Sequence, residues 1–580
     1  MKQFVTLLFL TMVWLGAAHA QTVVQVPSDL PPSEGNLNNA IQDAITNGTL
    51  SNTVFELEPY GYYILTGTII VPEGQHLEIV APAPGSDQNS APPQILWTAS
   101  GGVTTDFNFE VYGSIKLKNV WLRYATTAGT QVGSSLQIQN NPDPNVQERA
   151  EFEGVIFDYS PTPSNASGSV GVTADRFVGI FKNCYFRNCI DNHLRYYGRA
   201  VSFPFDAVGW HSDSLYFENC TFANMGYVHM QEGNMYTDNV YYNHCTFMNV
   251  VQFTLQSGWW YKMAVTNSVF VNTFMYGEIP AQTTNGEMNG GTVRIDSVAA
   301  FPFTPPFTDQ DRRILFANNN YYIESWLENW MHDNPYSVFL RSQRRDDEVP
   351  IPMPMLSPGT QAFFDSQDFP FMNAANLYDD VDPVFSVSPT NQDSLMAFMH
   401  CKWDDNCDHN WAYAPDEGWF QTWPLSEDLS YSSTTLQTAA MGGFPLGDLY
   451  HWWPSRYADW SAQASAEKTR IMTWLETGND PLGISEVPGG NIPANYELGQ
   501  NYPNPFNPST QIKFSVPRAS YMTLKVYNTL GQHVATLFEG EHPAGNYVAT
   551  FDSRGLASGI YYYRLEAGNV SLTRKFVLSR

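Results

Sequence analysis

The sequence predicts an all-β chain: a right-handed parallel β-helix solenoid with an N-terminal helical cap, an irregular C-terminal cap region and a small C-terminal immunoglobulin-like β-sandwich. Three observations predict it. A six-residue pattern recurs through the middle of the chain, asparagines recur at two fixed offsets around it, and the last part of the chain turns to period-two alternation broken by turn residues.

In chain order, residues 1–20 come first. Lys2, the apolar run from Phe4 to Leu15 and the small residues Gly16, Ala17, Ala18 and Ala20 have the three zones of a secretory signal peptide, with cleavage expected after Ala20. The run falls short of the roughly 18 residues that a spanning helix needs, and no later stretch reaches that length. No transmembrane segment is therefore expected in the mature chain.

Residues 21–345 are the expected solenoid. Its copies read Phe152-Glu-Gly-Val-Ile-Phe157, Phe181-Lys-Asn-Cys-Tyr-Phe186, Phe217-Glu-Asn-Cys-Thr-Phe222, Tyr242-Asn-His-Cys-Thr-Phe247 and Val265-Thr-Asn-Ser-Val-Phe270, with weaker ones at Leu117–Leu122 and Phe316–Tyr321. The closest final Phe residues are 25 and 23 apart, one coil of a parallel β-helix, and the 36-residue gap fits a coil with an inserted loop. Alternation sends Cys184, Cys220 and Cys245 inward with each final Phe, as a buried ladder. Asn183, Asn219 and Asn267 precede them at a bend, and Asn188, Asn224, Asn249 and Asn272 follow at a second, where Asn tolerates left-handed backbone. Upstream, Leu37, Ala40, Ile41 and Ala44 make one apolar helix face, a cap for the open end of the stack. On these residues the chain resembles the pectate-lyase-like superfamily of right-handed β-helices over approximately 22–345.

Residues 346–485 lose the repeat, gain Asp, Trp and Pro, and are expected to be an irregular cap or extension with a helix near 458–476 that ends at Gly478. The stretch Phe444-Pro-Leu-Gly-Asp-Leu-Tyr-His-Trp-Trp453 resembles the closing segment of surface β-helix proteins. A Pro/Gly-rich linker follows at 486–495. Residues 496–510, Tyr-Glu-Leu-Gly-Gln-Asn-Tyr-Pro-Asn-Pro-Phe-Asn-Pro-Ser-Thr, resemble the opening motif of type IX secretion (type A) sorting domains. The alternating strands that follow, up to Thr573-Arg-Lys-Phe-Val577, keep that likeness through 580 and read as a small antiparallel sandwich of about six or seven strands. The resemblance implies export through the periplasm and across an outer membrane by the type IX secretion machinery, to a secreted or cell-surface location.

The formal charge of −28 argues against nucleic acid as a partner, and it opposes polyanionic glycans unless a local basic groove or calcium offsets it. Six cysteines are too few to scaffold an exported chain of this length. Cys401 and Cys407, flanked by His400 and His409, fit a local disulfide, with zinc as the other reading of the cluster. Calcium is the cofactor that Asp379, Asp380 and Asp382, or Asp404, Asp405 and Asp408, have oxygens enough to hold, though neither run has the spacing of a calcium loop and solvated acidic loops fit both.

Aligning the coils on the final Phe puts His193, His229 and Thr254 in one row and Arg195, Gln231 and Gln256 in a second, with Leu194, Met230 and Leu255 between them. Alternation then turns the apolar row inward and both polar rows outward, as a polar strip. An ordinary solvent face has the same pattern. In the resembled superfamily, polysaccharide lies on the sheet after this turn. Trp259, Trp260 and Tyr261 supply candidate sugar-stacking faces, while the 196–214 insertion brings Arg199, Asp206, His211 and Asp213 close to the strip. A uronate lyase needs a base, here His193 or His229, and a cation to neutralise the enolate, here Arg195 or Arg199. Gln231, Thr254, Gln256, Trp259 and Trp260 would then bind substrate. A glycoside hydrolase needs two carboxylates about 5 to 9.5 Å apart, and Asp206, Asp213 and Glu232 are those nearby. The chain lacks the Arg-x-Pro-x-x-Arg pattern of pectate lyases and the Asn-Thr-Asp, Asp-Asp and Arg-Ile-Lys elements of polygalacturonase-like hydrolases. The expected function is polysaccharide engagement, as a lyase or hydrolase or, alternatively, as a non-catalytic surface glycan-binding protein, adhesin or structural component.

Overall fold

The computed structural model describes residues 21–579 except 31–32, 99–106, 130–135, 142, 144–145, 161–167, 190–197, 204–210, 231–235, 253, 282–290, 301–304, 404–410, 412, 414–421, 481–483, 487–492, 508, 519, 543 and 554–555. The expected signal peptide, His193, Arg195, Gln231, Asp206, Glu232 and Cys407 therefore lie outside the described residues.

Between Thr22 and Asp379 the chain winds a right-handed parallel β-helix whose coils stack strand on strand. Each coil contributes to three sheets. Sheet 1 includes Ser114–Lys118, Arg149–Glu153, Phe177–Lys182, His211–Glu218, Tyr236–Asn243 and Trp260–Thr266. Sheet 2 includes Tyr185–Cys189, Thr221–Met225, Thr246–Val250 and Val269–Thr273. Sheet 3 includes Leu136–Gln139, Val170–Thr173, Arg199–Ser202, Tyr227–Met230, Leu255–Gly258 and Val293–Ile295. Stacking continues past residue 345, because Met372–Asp379 adds a parallel strand beside Arg313–Tyr322.

Both asparagine ladders sit at the corners. Asn183, Asn219 and Asn267 have φ of 55°, 52° and 54° between sheets 1 and 2, and Asn188, Asn224, Asn249 and Asn272 have φ of 52°, 61°, 53° and 50° between sheets 2 and 3. The second ladder is joined by its amides: Asn249 Nδ2 donates to Asn224 Oδ1 and Asn272 Nδ2 to Asn249 Oδ1, both at 3.0 Å. Inside, the final Phe residues stack, with ring centroids 4.4 Å apart for Phe157–Phe186, 5.1 Å for Phe186–Phe222 and Phe222–Phe247, and 4.5 Å for Phe247–Phe270. Cys184, Cys220 and Cys245 are buried free thiols beside them. The helix Asn36–Thr46 closes the first coil through buried Leu37, Ile41 and Ala44.

The expected irregular extension folds back along the solenoid. Leu429, Tyr431, Leu436, Leu446, Leu449 and Trp460 cover outward residues of sheet 2 from Trp121 to Val271. The single helix expected near 458–476 is two helices, Pro454–Ser461 and Ala464–Thr477, the second ending at Gly478 with φ of 71°. Pro454 opens the first helix, at a position where its missing N–H costs nothing. Ile471, Trp474 and Leu475 of the second helix pack on Tyr241, Ala264, Leu315 and Ala317 of sheet 1. Of the three outer faces, sheet 2 and the C-terminal half of sheet 1 are thus covered, and among the described residues the N-terminal half of sheet 1 stays open beside this helix.

The tail is a sandwich of two four-stranded antiparallel sheets with its own core, including Ile512, Phe514, Leu524, Val526, Tyr563 and Phe576. Its first strand, Ile484–Glu486, pairs with Gly545–Asp552, so the sandwich begins ahead of the expected linker. Among the described residues no helix is long and apolar enough to cross a membrane.

Candidate functional site

Pairing register decides which side chains reach the surface. In sheet 3, Val201 pairs with His229 and His229 with Leu255. His229 therefore stands in an inward column between two aliphatic neighbours, correcting its expected outward place. It is fully buried, with Tyr242 Oη 3.3 Å from Nδ1 and the Phe203 and Trp260 rings 5.7 and 6.3 Å away. Burial pushes its pKa down to about 3, so it is neutral and out of reach of a substrate. Counting seven residues from each final Phe misses this because Leu255 lies eight after Phe247, and a one-residue slip exchanges the two faces of a strand.

Thr254 of the strip and two candidates beside it are interior too. Thr254 and Trp260 are fully buried, and Arg199 is 1% exposed, with Nη1 donating to Ser202 Oγ at 3.0 Å and the guanidinium 5.2 Å from the Tyr227 ring centroid. A stacking role for Trp260 and a charge-neutralising role for Arg199 do not fit these positions. Trp259 is half-buried, and the Gln256 backbone pairs with Arg294. Cys401 lies in the helix Gln392–Trp403.

Two features outside the expected strip bring reactive groups together. The first is a groove of about 450 Å³ on the open half of sheet 1, whose lining includes the cations Lys116, Arg149, Lys182 and, from the helix Ala464–Thr477, Lys468, the carboxylates Glu151 and Glu153, and Tyr216. It crosses four coils, roughly 14 Å at the usual strand spacing. Lys116 pairs with Glu78 at 2.7 Å and Arg149 with Glu151 at 2.5 Å, whereas Lys182 and Lys468 lie 5.8 and 4.2 Å from the Tyr216 ring centroid. Burial lowers the pKa of Lys468, against the opposing pull of Glu218. Burial likewise raises the carboxyl of Glu218, which Tyr216, Lys182 and Lys468 hold back.

The second is a cluster of one imidazole and three carboxylates where the chain enters sheet 1. His211 Nε2 is 3.3 Å from Asp213 Oδ1 and 3.5 Å from Asp238 Oδ2, and Nδ1 is 3.4 Å from Asp175 Oδ1. Among the described residues, His211, Asp213 and Asp238 are the only group of three whose metal-binding atoms converge. Asp379, Asp380 and Asp382 do not form such a group, and Asp404, Asp405 and Asp408 lie outside the described residues. His211 and Asp213 stood out in the sequence. Asp238 was missed, although it follows Asp213 by 25 residues, the length of one coil.

In the tail, the opening motif is fastened to the sandwich core. Buried Asn501 donates from Nδ2 to Pro503 O and Thr510 Oγ1, both at 3.0 Å, and its N–H donates to Tyr563 Oη at 3.0 Å. Residues 500–579 match the model of the secretion system C-terminal sorting domain. The sorting domain marks the protein for export by the type IX secretion machinery to the cell surface or outside. Neither the curated proteins nor the solved structures contain a match to the chain.

Proposed function

We propose that the solenoid is a surface glycan-binding module that holds an extended acidic polysaccharide in the groove on sheet 1. The observation that carries this reading is an excess of cations in the groove lining, Lys116, Arg149, Lys182 and Lys468 against Glu151 and Glu153, in a chain of net charge −28. Lys182 and Lys468 lie against the Tyr216 ring, with Glu218 near enough to attract both but outside ion-pair distance among the described residues, so turning toward a ligand weakens that attraction without breaking a direct ion pair there. A straight sheet of stacked coils suits a polymer lying along it, and export places the groove where polysaccharides are met. His229 and Arg199, a base and a cation that a lyase on sheet 3 would need, are buried, as are Thr254 and Trp260, so the reading rests on the sheet 1 groove and not on that strip.

The test is binding of the mature full chain to acidic and neutral polysaccharides, assayed together for unsaturated products and new reducing ends. Acidic polymers are expected to bind and to weaken as salt rises. Lys182→Ala with Lys468→Ala should weaken that binding by about tenfold, the loss of one or two charge-assisted contacts. Equal binding of neutral polymers, or none by any, would overturn the proposal, and product release would replace it with an enzyme.

A further inference from the structure

We infer that His211, Asp213 and Asp238 form a binding site for a divalent transition-metal ion of the Zn²⁺ type, a property independent of glycan binding. Three sequential coils supply the parts: Asp175 precedes Phe177–Lys182, His211 and Asp213 begin His211–Glu218, and Asp238 lies in Tyr236–Asn243.

Spacing is the first argument. Ligands about 2.0–2.1 Å from a tetrahedral zinc stand roughly 3.3–3.4 Å from one another. His211 Nε2 stands 3.3 Å from Asp213 Oδ1 and 3.5 Å from Asp238 Oδ2, and all three donor atoms lie within 4.8 Å of one another. Two of the three ligand–ligand distances thus match the edge of a zinc tetrahedron.

Orientation is the second. Asp175 Oδ1 accepts from the His211 backbone N–H at 2.9 Å and lies 3.4 Å from Nδ1, where it favours the tautomer that presents the Nε2 lone pair to a metal. Gln147 Nε2 donates to Asp213 Oδ2, and Arg176 Nη2 is 3.9 Å from the same oxygen, which leaves Oδ1 for the ion. Tyr236 stacks on the imidazole, with centroids 5.1 Å apart and planes at 6°. The nearby cation Lys262 is paired with Glu476.

Donor type selects the metal. Calcium takes six to eight oxygens, whereas one imidazole with two carboxylates suits zinc and its first-row neighbours.

The experiment titrates the chelator-treated mature full chain with ZnCl₂ by calorimetry. One Zn²⁺ per chain is expected, with affinity at least 100-fold lower in His211→Ala and in Asp238→Asn. Asp175→Asn, which touches only the orienting carboxylate, should lower it by about 10- to 100-fold. Circular dichroism checks each variant's fold, and Asp238→Asn preserves shape if His211→Ala unfolds. X-ray absorption of the zinc-loaded chain should show only nitrogen and oxygen near 2.0–2.1 Å, without the sulfur shell at about 2.3 Å that a cysteine site gives. Zinc binding that survives both ligand substitutions, a sulfur shell, absence of zinc binding, or calcium preferred over zinc would overturn the assignment.

Discussion

His229 shows what one side chain's placement implies. It is a histidine in a column whose neighbours are Val201 and Leu255, so its neutral form is the one the interior accepts. Burial pushes its pKa from 6.5 down to about 3. Between those values the unfolded chain binds a proton that the folded chain refuses, so its contribution is intact above pH 6.5 and declines as pH falls toward 3. The slope from this one group approaches about 1.4 kcal/mol per pH unit. His229→Leu should therefore flatten the acid side of the stability profile, measured by urea unfolding from pH 4 to 7. At pH 7 it should change stability by no more than about 1 kcal/mol, because a gain in apolar burial offsets the lost Tyr242 contact. An unchanged acid slope would mean that His229 is not buried in its neutral form.

At the scale of elements, the ladders were legible because each coil repeats the same demand. A left-handed corner asks for Asn, and an inward position facing its copy above and below asks for Phe or Cys. The coverage of the coils was not legible, because it joins residues far apart in sequence: Thr221 Oγ1 donates to Asp448 Oδ2 at 2.7 Å across 227 positions. The candidate strip failed locally, through one extra residue at a corner. The helix Ala464–Thr477 depends on a comparable long-range contact. Glu467 Oε1 accepts from Asn243 Nδ2 at 2.8 Å and Trp460 Nε1 at 3.1 Å, with His244 Nε2 3.3 Å away. Burial alone would raise this carboxyl, yet His244, Asn243 and Trp460 bring its pKa below the ordinary value. Glu467→Ala strands those donors and should cost about 3 kcal/mol, read as a lower urea midpoint. Glu467→Gln keeps an acceptor and should cost less.

Across the whole molecule, the solenoid core and the sandwich core have no residue in common. The solenoid core runs from Val26 to Met372 as one stack, while the sandwich buries its own set from Leu498 to Leu578. Two cores built from separate residues are expected to lose their structure independently, since cooperativity travels through packing. A chain of residues 21–580 should accordingly unfold in two calorimetric transitions. A chain ending at residue 480 should keep the solenoid transition unchanged and lose the other. That cut spares Ile484–Glu486 for the sandwich, whose edge it completes by pairing with Gly545–Asp552. A tail starting at 496 lacks that strand and should melt below one starting at 482. One shared transition would show instead that the sorting domain docks on the solenoid, so that a chain ending at residue 480 would be the less stable one.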